Sequence, residues 1–370
     1  MPMVETQENQ NVPKLRFPEF SGAWEEKRVA DLASVKTGSR DTQDRNSDGR
    51  YPFFVRSNTI ERIDSYAYDG EAVLTSGDGV GVGKNIHYIN GKFDYHQRVY
   101  AIFNFSTSLD GRFFFHFFRK NFLRRVMRLS AKNSVDSVRM SMIADMVVPC
   151  PTPPEQKKIA DFLGAVDARV GQLERKKALL EAYKKGCMQK LFSRELRFKR
   201  DDGTDFPDWE EKRLGEILTI GSGRDYKDLG PGTIPVYGTG GLMTYVDAWL
   251  YDGESVCIGR KGTIDNPMLL NGTFWTVDTL FYTHSYVDAL PRFVFAVFQQ
   301  INWQRYNEAS GVPSLSKKTI EKIKVEIPHP DEQHKIADFL STIDDKIALV
   351  ARELDHTRSF KKGLLQQMFV

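Results

Sequence analysis

Apolar residues follow two rhythms along this chain. At 151–193 they fall at heptad spacing, with Ile159, Val166, Leu173, Leu180 and Cys187 seven apart and Phe162, Leu163, Val170, Tyr183 and Leu191 widening the stripe. The spacing returns at 328–370 with Ile336, Ile343, Val350, Thr357 and Leu364. Sustained heptads predict amphipathic helices with a seam for another helix. Each stretch opens with prolines and then acids (Glu155; Asp331 and Glu332), which suit the positive end of a helix and read as caps. Neither is then broken by a proline, and a run of about 38 helical residues extends roughly 57 Å, too far for one small domain.

Elsewhere the rhythm shortens. YPFFV, AVLTS, NIHYI and RVYAIF, then TIPVYG, SVCIG and FYTH, are β-prone runs between Gly, Asn and Asp turns. Helical runs follow at 112–129 and 292–306, where Phe114, Phe117, Phe118, Phe295 and Phe298 read as core. Each set of strands with its helix predicts an α+β domain built on a mostly antiparallel sheet.

The two halves repeat one another. Residues 151–193 align without a gap on 328–370, and 17 of the 43 positions are identical. Leu15-Arg16-Phe17 is echoed by Leu196-Arg197-Phe198, Trp24-Glu25-Glu26-Lys27-Arg28 by Trp209-Glu210-Glu211-Lys212-Arg213, and Tyr68-Asp69-Gly70-Glu71 by Tyr251-Asp252-Gly253-Glu254. Pro52 is matched by Pro235. The expected division is a disordered polar segment at 1–12, domains at 13–150 and 194–327, and helices at 151–193 and 328–370. Helices of equal length and pattern in duplicated halves should pair antiparallel about a pseudo-two-fold axis. Ile159, Val166, Leu173, Leu180, Ile336, Ile343, Val350 and Leu364 are the candidate pairing residues.

At 370 residues the chain can bury two cores. No apolar run reaches the ~18 residues of a membrane span, and MPMVETQENQ has no signal-peptide character, so a cytoplasmic location is expected. Cys150, Cys187 and Cys257 are too few and too scattered for a disulfide framework or a zinc site.

Self-sufficient catalysis finds no support in the motifs. The glycine run ending at Lys84 lacks a phosphate-loop pattern, because Asp78 and Asn85 occupy positions that need Gly and Ser or Thr. Asn266-Pro267-Met268 reads as a turn, and His87, His96 and His284 stand apart. Glu155-Gln156-Lys157 has the tail of a nuclease motif but sits at a helix start. Binding is the remaining reading. Residues 11–150 carry a net +5, 151–193 a net +4 and 194–327 a net −3, and Arg112, Arg119, Lys120, Arg124, Arg125, Arg128, Lys132 and Arg139 concentrate charge that suits either phosphates or a solvated face. An acidic second domain would need local base-edge contacts instead.

The repeated Pro-x-Pro, Glu-Gln and Ile-Ala-Asp-Phe-Leu helix starts (Glu155-Gln156, Ile159 to Leu163; Glu332-Gln333, Ile336 to Leu340) and the Trp-Glu-Glu-Lys-Arg openings are the first marks of a family. Tyr237-Gly238-Thr239-Gly240-Gly241 followed by Gly259-Arg260-Lys261-Gly262 completes the pattern. Over essentially its whole length the chain resembles the specificity subunit of type I restriction-modification systems. That resemblance implies two target-recognition domains, each reading half of an asymmetric bipartite sequence in double-stranded DNA, on helices that dock two modification (methyltransferase) subunits. Restriction subunits join them. It implies no catalysis and no cofactor in this chain, with S-adenosylmethionine in the modification subunits and ATP and magnesium in the restriction subunits. Candidate DNA contacts are Tyr237, Thr239, Arg260 and Lys261 in the second domain. In the first, Phe54 to Asn58 replaces the tyrosine-glycine turn and Ser76-Gly77-Asp78-Gly79 replaces Gly-Arg-Lys-Gly, which moves the candidates to Arg56, Asn58, Lys84, Asn85 and Arg98.

Overall fold

A computed structural model describes residues 11–130 and 137–370; most of the segment expected to be disordered, and Lys132 of the basic run, lie outside the described residues. The chain forms two compact units, Met1–Arg175 with Ala351–Val370, and Lys176–Val350. The division cuts both long helices, Pro153–Phe192 and Pro330–Met368, rather than giving one helix to each half.

The first unit holds a six-stranded sheet in the order Ser34–Thr37, Val99–Phe103, Tyr68–Ser76, Ile86–Tyr95, Tyr51–Phe54, Ile60–Ile63. All neighbours are antiparallel except the parallel pair Tyr51–Phe54 and Ile86–Tyr95. In the long central hairpin Gly70 pairs with Gly91, both at positive φ (149° and 140°), where a side chain would strain the backbone. The repeated Tyr-Asp-Gly-Glu landmark therefore marks a backbone requirement. Its counterpart Gly253 (φ 134°) donates its N–H to the carbonyl of Gly272 (φ 85°).

In the second unit that glycine pair separates two four-stranded sheets. One runs Thr219–Ser222, Leu280–His284, Ser255–Gly259, Met268–Leu270; the other runs Gly241–Val246, Pro231–Gly238, Thr273–Thr276, Tyr251–Asp252. The Glu-Glu-Lys-Arg echoes are strands in two matching ribbons, Glu25–Arg28 with Val147–Cys150 and Glu210–Arg213 with Lys324–Ile327.

Each unit covers a sheet with an aromatic helix. Gly111–Leu129 is capped by Asp110, whose carboxylate accepts from the N–H groups of Arg112 and Phe113 at 2.9 Å. Its Phe113, Phe114, Phe117, Phe118 and Phe122 are buried, so these aromatics form core, as their spacing predicts. The matching helix, Pro291–Gln300, stops short of the predicted 292–306. Ile301 turns extended, which lets the indole of buried Trp303 donate to the carbonyl of Phe298 at 2.9 Å.

The acids expected as caps at the helix starts do more than cap. Glu155 and Glu332 are buried at 1% and 0% exposure. Arg16 donates to both carboxylate oxygens of Glu155 at 2.8 Å, and Arg197 to both of Glu332 at 3.2 and 2.8 Å. Burying a carboxylate is costly without such a fork, which meets both oxygens at once. The next residue does equivalent work in each copy. Gln156 accepts from the N–H of Asp110 and donates to the carbonyls of Ser108 and Pro151; Gln333 accepts from Leu290 and donates to Asp288 and Pro328. The Glu-Gln pair thus fastens a helix start to its domain.

Inside each unit the two helices run antiparallel. In the first, Asp167 pairs with Lys361, Arg169 with Glu353 and Glu174 with Arg358. In the second, Lys184 meets Asp344 at 2.7 Å. Leu173, Ile343 and Val350 are buried, while Val166 and Leu180 are half-buried. The stripe's ends go elsewhere than a helix seam: Ile159 and Leu364 enter the core of the first unit and Ile336 that of the second. A domain core draws in the helix ends because it offers them more apolar surface than one neighbouring helix can.

Candidate nucleic-acid interface

Three loops of the first unit are tied together at one place: 55–59 after strand Tyr51–Phe54, 77–85 after Tyr68–Ser76, and 96–98 before Val99–Phe103. The carbonyl of Arg56 accepts from the Ser76 hydroxyl at 3.2 Å and from the Asn85 side-chain amide at 2.8 Å. The N–H of Gly77 donates to the carbonyl of Arg98 at 2.8 Å. The side chains of Arg56 and Arg98 then converge on Asp78, at 3.1 and 2.6 Å. Burial alone would raise the Asp78 pKa, but the bonds from Arg98 and Arg56 outweigh it and hold the carboxyl below the usual range. Asp78 is 15% exposed, against 47% for Arg56 and 61% for Arg98, so the cations face outward over a sheltered anion.

Of the five candidates here, Arg56 and Arg98 are brought together, Asn85 staples the loops, and Asn58 and Lys84 are exposed on the same loops. Asp78, which draws the two arginines together, was not among the candidates. The sequence signal was its position opposite Lys261 in the repeat, which a search for cations passes over.

In the second unit Arg260 and Lys261 lie on the rim of a cleft of about 1030 Å³ walled by Ser222, Thr279, Phe281 and the segment Glu308 to Lys317. The N–H groups of both donate to the carbonyl of Thr279, at 2.8 and 3.3 Å. The guanidinium of Arg260 and the ammonium of Lys317 each lie 6.0 Å from the centre of the Phe281 ring. The Arg260 guanidinium also donates from Nη1 to the carbonyl of Asp278 at 3.4 Å, and its other N–H groups remain able to donate. Thr239 sits beside Gly262, with its hydroxyl 3.8 Å from where a Cβ there would stand. Tyr237 is half-buried against the cluster containing Cys257 and Phe274. Lys317 and the 308–316 loop were missed, since nothing in their residue types distinguishes them from other surface.

The basic run of the first unit divides. Arg112 pairs with Asp161 at 2.7 Å, Arg125 donates to the carbonyl of Met142 at 2.7 Å, and Lys120 to that of Phe369 at 3.1 Å, so these three hold the unit together. Arg124 and Arg128 line a shallow groove with Arg125. Among the described residues no helix is long and apolar enough to cross a membrane.

The chain is 30% identical over 158 residues to the type I restriction enzyme EcoDI specificity subunit of Escherichia coli, covering 43% of this chain and 34% of that one. It is 26% identical over 294 residues to a putative type I restriction enzyme specificity subunit, MjaX, of Methanocaldococcus jannaschii, covering 68% and 64%. The match thus spans about a third of the first relative and just under two thirds of the second. In fold the chain is similar to the crystal structure of a type I restriction-modification S subunit from M. genitalium, with TM-score 0.76, 20% identity, and coverage of 97% of this chain and 99% of that one. The family model described as the type I restriction modification DNA specificity domain matches twice, at 22–182 and 207–356, and the chain belongs to that family.

Proposed function

We propose that the chain reads an asymmetric, bipartite sequence in double-stranded DNA and presents it to methyltransferase subunits docked on its long helices. The observation that carries this reading is one loop framework built twice with unlike side chains on it. A repeated backbone with divergent tips suits two readers of different half-sites, whereas identical tips would call for a palindrome. Arg56, Asn58, Lys84, Asn85 and Arg98 serve one half-site; Tyr237, Thr239, Arg260 and Lys261 serve the other. The number of residues in the paired helices sets the spacer. Leu179, Tyr183, Leu349 and Phe360 are each more than half exposed on those helices, apolar surface that a docked subunit would cover. S-adenosylmethionine belongs to the modification subunits, and ATP and magnesium to restriction subunits that join them; this chain contributes recognition without catalysis.

A genome-wide methylation map with and without the gene tests the proposal. Loss of one two-part, non-palindromic motif is expected. An unchanged map, in cells that hold and express the partner genes, refutes it and favours an adaptor that uses the helices alone.

A further inference from the structure

We propose that three equivalent positions in each unit form a base-reading triad: Arg56, Asp78 and Arg98 in the first, and Thr239, Lys261 and Thr279 in the second. Asp78 is the positioning residue of the first triad. The inference rests on the DNA-reading function proposed above and names the residues that make its two halves different.

Backbone contacts establish the equivalence. His96 N–H donates to the carbonyl of Phe54 at 2.9 Å, as Val277 does to Tyr237 at 3.0 Å, which aligns Arg56 with Thr239 and Arg98 with Thr279. Gly77 N–H donates to Arg98 at 2.8 Å, as Arg260 does to Thr279 at 2.8 Å. Val138 N–H donates to Gly77 at 2.7 Å, as Leu315 does to Arg260 at 2.9 Å. Finally, Asp78 bridges Ser137 where Lys261 bridges Ser314. The three positions therefore share a site within each unit, although the loops between them differ in length.

The chemistry at those positions is inverted at constant charge. One triad is an anion between two cations and the other places a lysine and two threonines at the same backbone positions, so each carries one net positive charge. Attraction to phosphate, which depends on net charge, is then similar for both, while the pattern of donors and acceptors differs. In the first triad each arginine uses one nitrogen, Nη1, on Asp78 and keeps its remaining N–H groups. Two guanidinium groups held side by side with free donors suit the O6 and N7 acceptors of guanine. Without the carboxylate they would repel each other and swing toward phosphates. The second triad offers one flexible ammonium and two hydroxyls that can donate or accept, and so fits a different base step.

The test is a charge-conserving exchange in the full chain in its own cell: Arg56→Thr, Asp78→Lys and Arg98→Thr together. Bases in one half of the methylated motif should change while the other half and the spacer stay as they are. Asp78→Asn alone should relax the same half, lowering its discrimination about ten- to a hundredfold, within the range of one bidentate base contact. An unaltered motif in the triple variant overturns the inference. If the triple variant methylates nothing, Asp78→Glu and Asp78→Asn decide: the native motif with Glu and a relaxed one with Asn supports the triad, and the same motif with both overturns it. A native map that does not depend on the gene at all is a distinct result, and sinks the DNA-reading function itself.

Discussion

Removing the arginine from each helix clamp should destabilise the two units unequally. In Arg16→Ala, Glu155, which is 1% exposed in the native chain, loses both of its 2.8 Å bonds. Breaking a buried pair from one side costs about 3–5 kcal/mol. An ordinary glutamic acid can be protonated at neutral pH for roughly 4 kcal/mol, so the loss should not greatly exceed that. In Arg197→Ala, Glu332 keeps one donor, the indole N–H of Trp209 at 3.2 Å. Trp24 makes no such bond, its indole nitrogen being buried without a partner among the described residues. A hydrogen bond to a charged group contributes about 1.5–3 kcal/mol, and this long one belongs at the low end. Arg197→Ala should therefore cost about 1.5 kcal/mol less, roughly a tenfold smaller rise in local opening. Peptide-resolved hydrogen exchange over 13–24 and 195–209 measures both openings in one molecule. Equal protection losses, or a larger loss at 195–209, would refute the reasoning.

Three further outcomes follow from the geometry. Seven residues inserted at matching points of both long helices keep the apolar stripe in phase and add about 10.5 Å, so the methylated motif should gain about three base pairs of spacer with both halves intact; an unchanged spacer counts against the helices as ruler. Arg260→Ala should weaken or relax one half-site by about 1–3 kcal/mol, read from binding to matched and mismatched duplexes, whereas equal loss on all DNA would reduce its role to a phosphate contact. His116 is buried, and burial lowers its pKa to about 4, against the opposing pull of Asp167. Because the unfolded imidazole takes up a proton near pH 6.5 and the folded one does not, stability should fall as pH drops from 6.5 toward 4, and His116→Phe should flatten that slope in urea unfolding.

The α+β class, the duplication, the two long helices and the aromatic cores were legible because each rests on local periodicity or on repetition. The clamp was half legible. Glu155 and Glu332 were visible at helix starts, and Arg16 and Arg197 inside a shared Leu-Arg-Phe, but Arg16 and Glu155 are 139 residues apart and no local pattern joins them. Helix 292–306 was overextended because its apolar spacing continues through Trp303, whose burial demands a turn instead. At the interface, residue type found the exposed cations and missed the anion that orders them. An aspartate between glycines reads as a turn until the strands on either side place two arginines against it.

The cut through both long helices gives them a role that heptad spacing does not convey. Phe369, at the end of the second helix, lies 6.5 Å from Trp24 and 5.3 Å from Phe113 in the first unit. Phe192, at the end of the first helix, lies 6.1 Å from Trp209 and 5.9 Å from Phe293 in the second. The backbone repeats the exchange, since Leu15 N–H donates to Gln367 as Leu196 does to Lys190. Each unit's core therefore closes on the start of one helix and the end of the other. Helix length cannot then drift residue by residue, because a shift of one position rotates the terminal phenylalanine by about 100° away from its tryptophan. Loops such as 55–59 and 308–316 do not close a core on a helix end. That difference accounts for long helices that align without a gap while the loops of the two domains diverged.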